Sequence, residues 1–93
     1  MKNLNFKIKL VARNEGIDYL DQGGAYKFNV GLHDNEWSLY LPASKDDCYP
    51  YQLTDEELHR IVPRIREFLT KVKWFGLFGG PYTVKVIDQN KPQ

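Results

Sequence analysis

The sequence has little cysteine and no long apolar run. Cys48 is the single cysteine, so no disulfide can form within the chain, although a homodimer joined through Cys48 stays open. A lone cysteine agrees with a reducing compartment. The longest apolar runs, such as residues 74–78, span a few residues, whereas a membrane-spanning helix needs about 20. The N-terminus also lacks the apolar segment of a secretory signal. These absences predict a cytoplasmic protein with no membrane partner.

An excess of charge of one sign is also missing. Thirteen lysines and arginines oppose 12 aspartates and glutamates, and the net charge of +1 gives no support for attraction to DNA or to an anionic membrane. The charges are nevertheless segregated along the chain: they sum to +4 over residues 1–13, −8 over residues 14–57 and +5 over residues 58–93. The acidic block at residues 14–57 suggests a partner of positive charge.

Motifs of catalysis and metal binding are absent from the sequence. No histidine pair shares a helix face, no Cys-x-x-Cys occurs, and Asp46-Asp47 lacks the ligand ladder of a calcium loop, so no metal and no cofactor are expected. The glycines near residue 80 follow a helix, whereas phosphate-binding loops precede one. Cys48 follows Asp46 and Asp47 in the sequence, and this acidic setting makes it a poor candidate for a nucleophile. We therefore expect no enzyme, since catalysis would require a concave polar pocket containing His33 or His59.

What the sequence does contain is a set of regular hydrophobic patterns. Apolar residues make up 42% of the 93 residues, which is enough for one core, and they predict one domain over residues 1–88 with a disordered tail at 89–93. Period-two alternation predicts strands over residues 5–13, 17–20, 26–33, 37–41 and 82–87. Pro42 is expected to end the fourth strand, leaving residues 42–53 as a long polar loop.

A helix is predicted after this loop. Thr54 and Glu57 have the spacing of a capping box, and apolar residues then recur at three- and four-residue steps as far as Val72. Pro63 interrupts this pattern and predicts a kink or a break near Val62. Gly76 is expected to terminate the helix. The order β-β-β-β-α-β predicts an α+β fold: a mainly antiparallel sheet of about five strands with one long, Pro-kinked helix packed on one face.

Acidic and aromatic side chains suggest a surface for binding another protein. Tyrosine and tryptophan on loops are favoured interface anchors, and acids from the third-to-fourth hairpin, the long loop and the helix start could converge at one end of the sheet. An acidic, aromatic-rich edge of this kind would suit a basic protein. For the loop aromatics Tyr49, Tyr51, Trp74, Phe75 and Phe78, closure of the two ends of the core is the favoured alternative role. The candidate binding residues are Asp34, Glu36, Trp37, Asp46, Asp47, Tyr49, Tyr51, Trp74, Phe75 and Phe78.

A nucleic-acid-binding accessory domain is the alternative function. Its candidate residues are the bases of the helix, namely Arg60, Arg64, Arg66, Lys71 and Lys73. Favourable pairing with acids one helical turn away accounts for these bases almost as well. The −8 block would repel a phosphate chain, which makes nucleic acid the less favoured partner.

Several segments together resemble one protein family. They are Tyr19 before a glycine-containing turn, the W-S-L-Y-L-P strand at residues 37–42, the acidic helix opening at residues 53–57 and the R-I-R-E-F-L helix body at residues 64–69. This layout, over most of residues 17–87, is similar to small bacterial immunity proteins of polymorphic toxin systems. The resemblance implies a protein without catalytic machinery that binds a cognate toxin tightly. The family's acidic position in the middle strands has only a loose counterpart at Glu36, so no functional residue carries over.

Overall fold

A computed structural model describes residues 5–11, 15–71 and 82–89 of the chain. Its elements are β1 (Lys7–Val11), β2 (Gly16–Asp21), β3 (Gly24–His33), β4 (Glu36–Lys45), β5 (Cys48–Tyr51), α1 (Asp55–Lys71) and β6 (Thr83–Asp88). The predictions for the helix end at Gly76 and for the tail from residue 90 lie outside the described residues. Across the described ranges, no helix combines the length and the apolar character needed to cross a membrane.

The strands form one mixed sheet in which antiparallel pairing dominates. Strands β1 to β5 lie side by side in chain order, each antiparallel to the next. Strand β4 is long enough to hold two neighbours along one edge, with β6 parallel to its first part, Glu36 to Leu41, and β5 paired with its end, Ala43 to Lys45. The helix packs across one face of the sheet, so the predicted α+β class and mainly antiparallel sheet are confirmed.

The predicted loop at residues 42–53 is wrong, because β4 continues to Lys45 and β5 follows. Strand β4 tolerates Pro42 where the ladder to β3 is irregular: Lys27 pairs with Ser44 and Asn29 with Tyr40, so β4 advances four residues while β3 advances two. A proline at such a bulge need not donate a ladder hydrogen bond. The edge position of β5 similarly accommodates Pro50, and the peptide bonds preceding both prolines are cis.

Helix α1 runs from Asp55 to Lys71 with Pro63 inside it, so the predicted break near Val62 does not occur. An interior proline costs about 3 kcal/mol in an isolated helix. Here Ile61 and Ile65 on either side of Pro63, together with Leu69, are fully buried against the sheet. Their packing outweighs the cost, since tertiary burial supplies most of the stability of a protein helix.

The core lies between the helix and the inward side chains of β2, β3 and β4. Trp37 belongs to it, being 0% exposed and packed edge-on against Tyr82 with ring centroids 6.2 Å apart. Its proposed place on a binding surface is therefore corrected: Trp37 lies on the same face of β4 as Leu39 and Leu41, which face α1. The alternation that predicted the strand also assigns Trp37 to the inner face.

Candidate functional site

The acids of the middle block do not gather in one place. Asp34 and Glu36 lie at the β3–β4 turn, whereas Asp46 and Asp47 form the β4–β5 turn at the opposite end of β4. Ten residues of strand separate the two turns, roughly 30 Å at about 3.3 Å per residue. The expected convergence at one end of the sheet is therefore wrong: the candidate acids of residues 46–57 lie at the end where the helix begins, and Asp34 and Glu36 lie at the other.

At that end, Asp46, Asp47 and Tyr49 form what we call the hairpin-tip surface. Asp46 and Asp47 fill both left-handed positions of a two-residue turn, with φ of 50° and 69°. The turn is held on β3, because the Asp46 amide donates to the Ala25 carbonyl at 2.7 Å and the Asp46 Oδ1 accepts from the Ala25 amide at 3.0 Å. Asp47 lies 3.9 Å from Lys27 and stays highly exposed, and Tyr49 is 63% exposed. The tip therefore presents the Asp47 carboxylate and the Tyr49 ring beside Asp46, whose exposed carboxylate also helps to hold the backbone of the turn.

Beneath the tip, a buried carboxylate fastens the helix start to the sheet. Glu57 accepts hydrogen bonds from the Tyr26 and Tyr51 hydroxyls, both at 2.7 Å, and forms an ion pair with Lys45 at 2.9 Å. The predicted capping box is present: the Thr54 amide donates to Glu57 at 2.9 Å, and the Glu57 amide donates to the Thr54 hydroxyl at 3.1 Å. One side chain thus joins β3, β4, β5 and α1.

A second buried carboxylate, Asp21, anchors the next turns of the helix. It accepts hydrogen bonds from the Tyr19 hydroxyl and the Gly23 amide, both at 2.7 Å. Arg60 contacts it through Nε at 2.9 Å, and Arg64 lies 3.5 Å away. The Asp21 side chain is fully buried, so these contacts provide the partners that a carboxylate removed from water requires.

The two clusters join through Tyr26, whose hydroxyl donates to Glu57 and accepts from Arg60 at 3.3 Å. Arg60 also pairs with Glu56 on its own helix. The joined network holds three acids, Asp21, Glu56 and Glu57, and three bases, Lys45, Arg60 and Arg64, so its charges cancel. It fixes α1 on the sheet, and much of the charge near the helix start serves this purpose.

The ionisation of the network follows from its contacts. Burial would raise the pKa of Glu57, but hydrogen bonds from Tyr26, Thr54, Tyr51 and Lys45 outweigh it and hold this pKa well below its usual range. Burial likewise opposes ionisation of Asp21, and the hydrogen bond from Arg60 leads the contacts that lower its pKa. Burial and the hydrogen bond to Glu57 raise the pKa of Tyr26 to about 12.

These shifts predict a specific pH dependence of stability. A carboxylate with a lowered pKa stabilises the fold fully above its unfolded pKa, about 4.5 for glutamate, and this contribution is lost as the pH falls below that value. The phenol of Tyr26 acts at the other end, where its contribution is lost as the pH rises from 10.0 towards about 12. We expect the free energy of unfolding of Glu57→Gln to fall less steeply than that of the wild type below pH 4.5 in urea titrations. If the free energy of unfolding fell equally steeply for both proteins below pH 4.5, these contacts would not be lowering the pKa of Glu57.

The basic helix residues of the nucleic-acid alternative do not form a free face. Arg60 and Arg64 are half-buried and engaged with Asp21, and Arg64 also stacks 4.4 Å from the centre of the Phe6 ring. Lys71 pairs with Glu67 at 2.9 Å, and Arg66 is exposed. Lys73 lies outside the described residues. Two of the five candidate bases, Arg60 and Arg64, are therefore engaged within the protein and poorly placed to bind a phosphate chain.

The remaining aromatic candidates separate into different environments. Tyr49 is exposed, whereas Tyr51 is turned inward to Glu57 and packs edge-on against Tyr26 with ring centroids 6.4 Å apart. Trp74, Phe75 and Phe78 lie outside the described residues. Of the aromatic side chains that the structure places, Tyr49 is the candidate available to a partner.

Sequence reasoning overlooked Asp21, Lys45 and Tyr26 as members of a network. A signal was present for Asp21, because Ile17, Tyr19 and Asp21 continue one period-two alternation and so share the inner face of β2. An acid at an inward position requires a partner from the element packed on that face, and Arg60 and Arg64 occupy the facing helix. Lys45 had no such signal, since residues 42–53 were expected to be a loop.

The histidines and the cysteine do not meet in the structure. His33 lies at the end of β3 beside Asp34, and the Nδ1 of His59 lies 2.8 Å from the Asp55 carbonyl on the helix. Cys48 is exposed in β5. Within residues 5–11, 15–71 and 82–89, no group of three or more histidine, cysteine or acidic side chains is arranged to hold a metal ion.

Comparisons with protein-family models, with curated proteins and with solved structures gave no match to this chain.

Proposed function

We propose that this protein is a small non-catalytic binding module whose hairpin-tip surface docks on a basic partner protein. The resemblance to immunity proteins makes a toxin the favoured kind of partner. The observation that carries the proposal is the geometry of the tip: exposed Asp46 and Asp47 lie on a turn that the Asp46 carboxylate helps to pin to β3, next to the exposed ring of Tyr49. A pinned turn has little conformational entropy to lose on binding.

The local charge balance supports a basic partner. The network beneath the tip is neutral, because its three acids match its three bases. Around it lie exposed Asp46, Asp47 and Asp55 against exposed Lys27, so acids exceed bases by two among these four residues. Complementary charge raises association rates and selects partners, while an aromatic ring beside it supplies apolar contact.

The test is capture of a partner from the cells that make the protein. Immobilised wild-type protein is expected to retain a basic protein in stoichiometric amount, and Asp46→Lys with Asp47→Lys is expected to lose it. Asp34→Lys is the matched control, because Asp34 also occupies the left-handed position that opens a two-residue turn, with φ of 53°, at the far end of β4. Equal retention by the double variant, or no stoichiometric partner for any form, would remove the basis of the proposal.

A further inference from the structure

A second surface, distinct from the hairpin tip, surrounds the edge strand β1. The inner edge of β1 pairs with β2 in a regular register, from Lys7 opposite Leu20 to Val11 opposite Gly16. No strand among the described residues pairs with its outer edge. Strand β5, at another edge, is only four residues long and contains Pro50, two features that discourage further pairing. Strand β1 contains no proline and no bulge, so its outer backbone groups are in position to accept another strand.

A groove lies on each side of β1. On the helix side, a groove of about 390 Å³ is lined by Phe6, Ile8 and Phe68, with Arg64, Glu67 and Lys71 around them. On the open face of the sheet, a groove of about 600 Å³ runs over Leu20 and Ala25, and its charged lining residues are Lys7, Lys9 and Lys27 together with Asp18, which lies opposite Lys9. Leu20 is 49% exposed in it. A strand added at the outer edge of β1 would direct alternate side chains towards the helix-side groove and, on the open face, to positions beside Lys7 and Lys9, since successive side chains of a strand point to opposite faces.

The chemistry of the two grooves differs and defines the occupant. Phe6, Ile8 and Phe68 offer apolar surface to the inward side chains of an added strand. Lys7 and Lys9 are exposed on the open face and would lie directly beside its outward side chains. We propose that β1 accepts, by strand addition, an extended segment of a partner protein in which acidic residues alternate with apolar ones. Main-chain pairing of this type gives affinity, and the alternate side chains give specificity.

A second copy of this chain fits the edge less well. The antiparallel register that pairs all five residues of β1 with their counterparts is centred on Lys9 and sets Lys9 opposite Lys9. Like charges directly opposite one another destabilise a strand pair. Lysines on an edge strand therefore oppose self-pairing while favouring an acidic segment.

The surface also differs from the hairpin tip in position and charge. Three strand spacings, about 14 Å in all, separate β1 from β4, which leads into the Asp46-Asp47 turn. The Asp46-Asp47 turn contacts Ala25 and Lys27, which line the open-face groove on its β3 side, whereas strand addition uses the outer edge of β1. Reversal of Asp46 and Asp47 should therefore leave main-chain pairing of the peptide with β1 intact.

The experiment uses a labelled eight-residue peptide in which glutamate alternates with valine, titrated into the full chain at low salt. We expect saturable binding below about 1 mM, at least fivefold weaker binding to Lys7→Gln with Lys9→Gln, and no change for the control Lys85→Gln on β6. Peptide binding should slow hydrogen exchange at alternate amides of β1, a pattern that loose ionic attraction would not produce.

Several results would overturn the assignment. They are equal binding of a peptide in which lysine alternates with valine, absence of saturation at about 1 mM, and new protection at β5 or β6 in place of β1. Self-association of the free protein that already protects the outer amides of β1 would equally contradict it, because the edge would then belong to a second copy.

Discussion

Glu57→Ala is expected to lower the free energy of unfolding by about 3–4 kcal/mol, which is the largest loss that we expect from a single substitution in this protein. The side chain is 6% exposed and accepts hydrogen bonds from Tyr26, Tyr51 and Thr54 while pairing with Lys45. Its removal leaves the buried Tyr26 hydroxyl without an acceptor and ends the capping box, and each of these losses costs about 1 kcal/mol or more. Urea unfolding followed by circular dichroism measures the change.

Glu56→Ala is the matched control for this substitution. Glu56 occupies the same first turn of α1, but its side chain is exposed and its one described partner is Arg60. We expect a loss below about 1 kcal/mol, the usual value of an exposed ion pair within a helix. Similar losses for the two alanine variants would mean that negative charge in the first turn of α1, and not the buried contacts of Glu57, stabilises this end of the fold.

Asp21→Asn is expected to cost about 2–3 kcal/mol, because the neutral amide leaves Arg60 and Arg64 without the buried carboxylate that both contact. The same substitution at Asp18, on the opposite face of β2, is the control and should cost less than about 1 kcal/mol, the usual value of its cross-strand pairs with Lys9 and Lys27. Chemical denaturation of both variants gives the comparison.

A double-mutant cycle separates the Asp21–Arg60 contact from other effects of these substitutions. Arg60→Met keeps the aliphatic stem and removes the charge. We expect Asp21→Asn with Arg60→Met to cost less than the sum of the single variants by about 1–2 kcal/mol, since the second change removes the charge that the first leaves unpaired. Additive losses would show that the two side chains do not stabilise the fold through each other.

Patterns among neighbouring residues predicted the positions of single elements. The alternation of Tyr26, Phe28 and Val30 predicted the inner face of β3, and the spacing of Thr54 and Glu57 predicted the helix start. Both depend on the geometry of a few neighbouring residues. The α+β class followed from the order of these elements.

Features set by tertiary packing could not be predicted in this way. Pro42 predicted the end of a strand, yet a bulge accommodates it, and the edge position of β5 accommodates Pro50. Helix α1 continues through Pro63 because Ile61 and Ile65 are held by the sheet. The separation of the two acidic turns required knowledge that β4 extends to Lys45.

The acidic residues of the middle block fall into two groups with different roles, which composition alone does not distinguish. Glu57 and Asp21 belong to the acidic block but are buried and matched by bases of α1 and β4. Asp46 and Asp47 belong to the same block and stay exposed on a pinned turn. The first pair stabilises the fold, and the proposed function rests on the second.

The most direct test of the hairpin-tip proposal is the salt dependence of association with the captured partner. With purified proteins in stopped flow, the association rate constant should fall at least about tenfold from low to high ionic strength, with little change in dissociation. Asp46→Lys with Asp47→Lys should associate slowly at every salt concentration, whereas Asp34→Lys should follow the wild type. A rate constant that does not depend on salt, or an equal salt dependence in the double variant, would contradict docking through the hairpin tip.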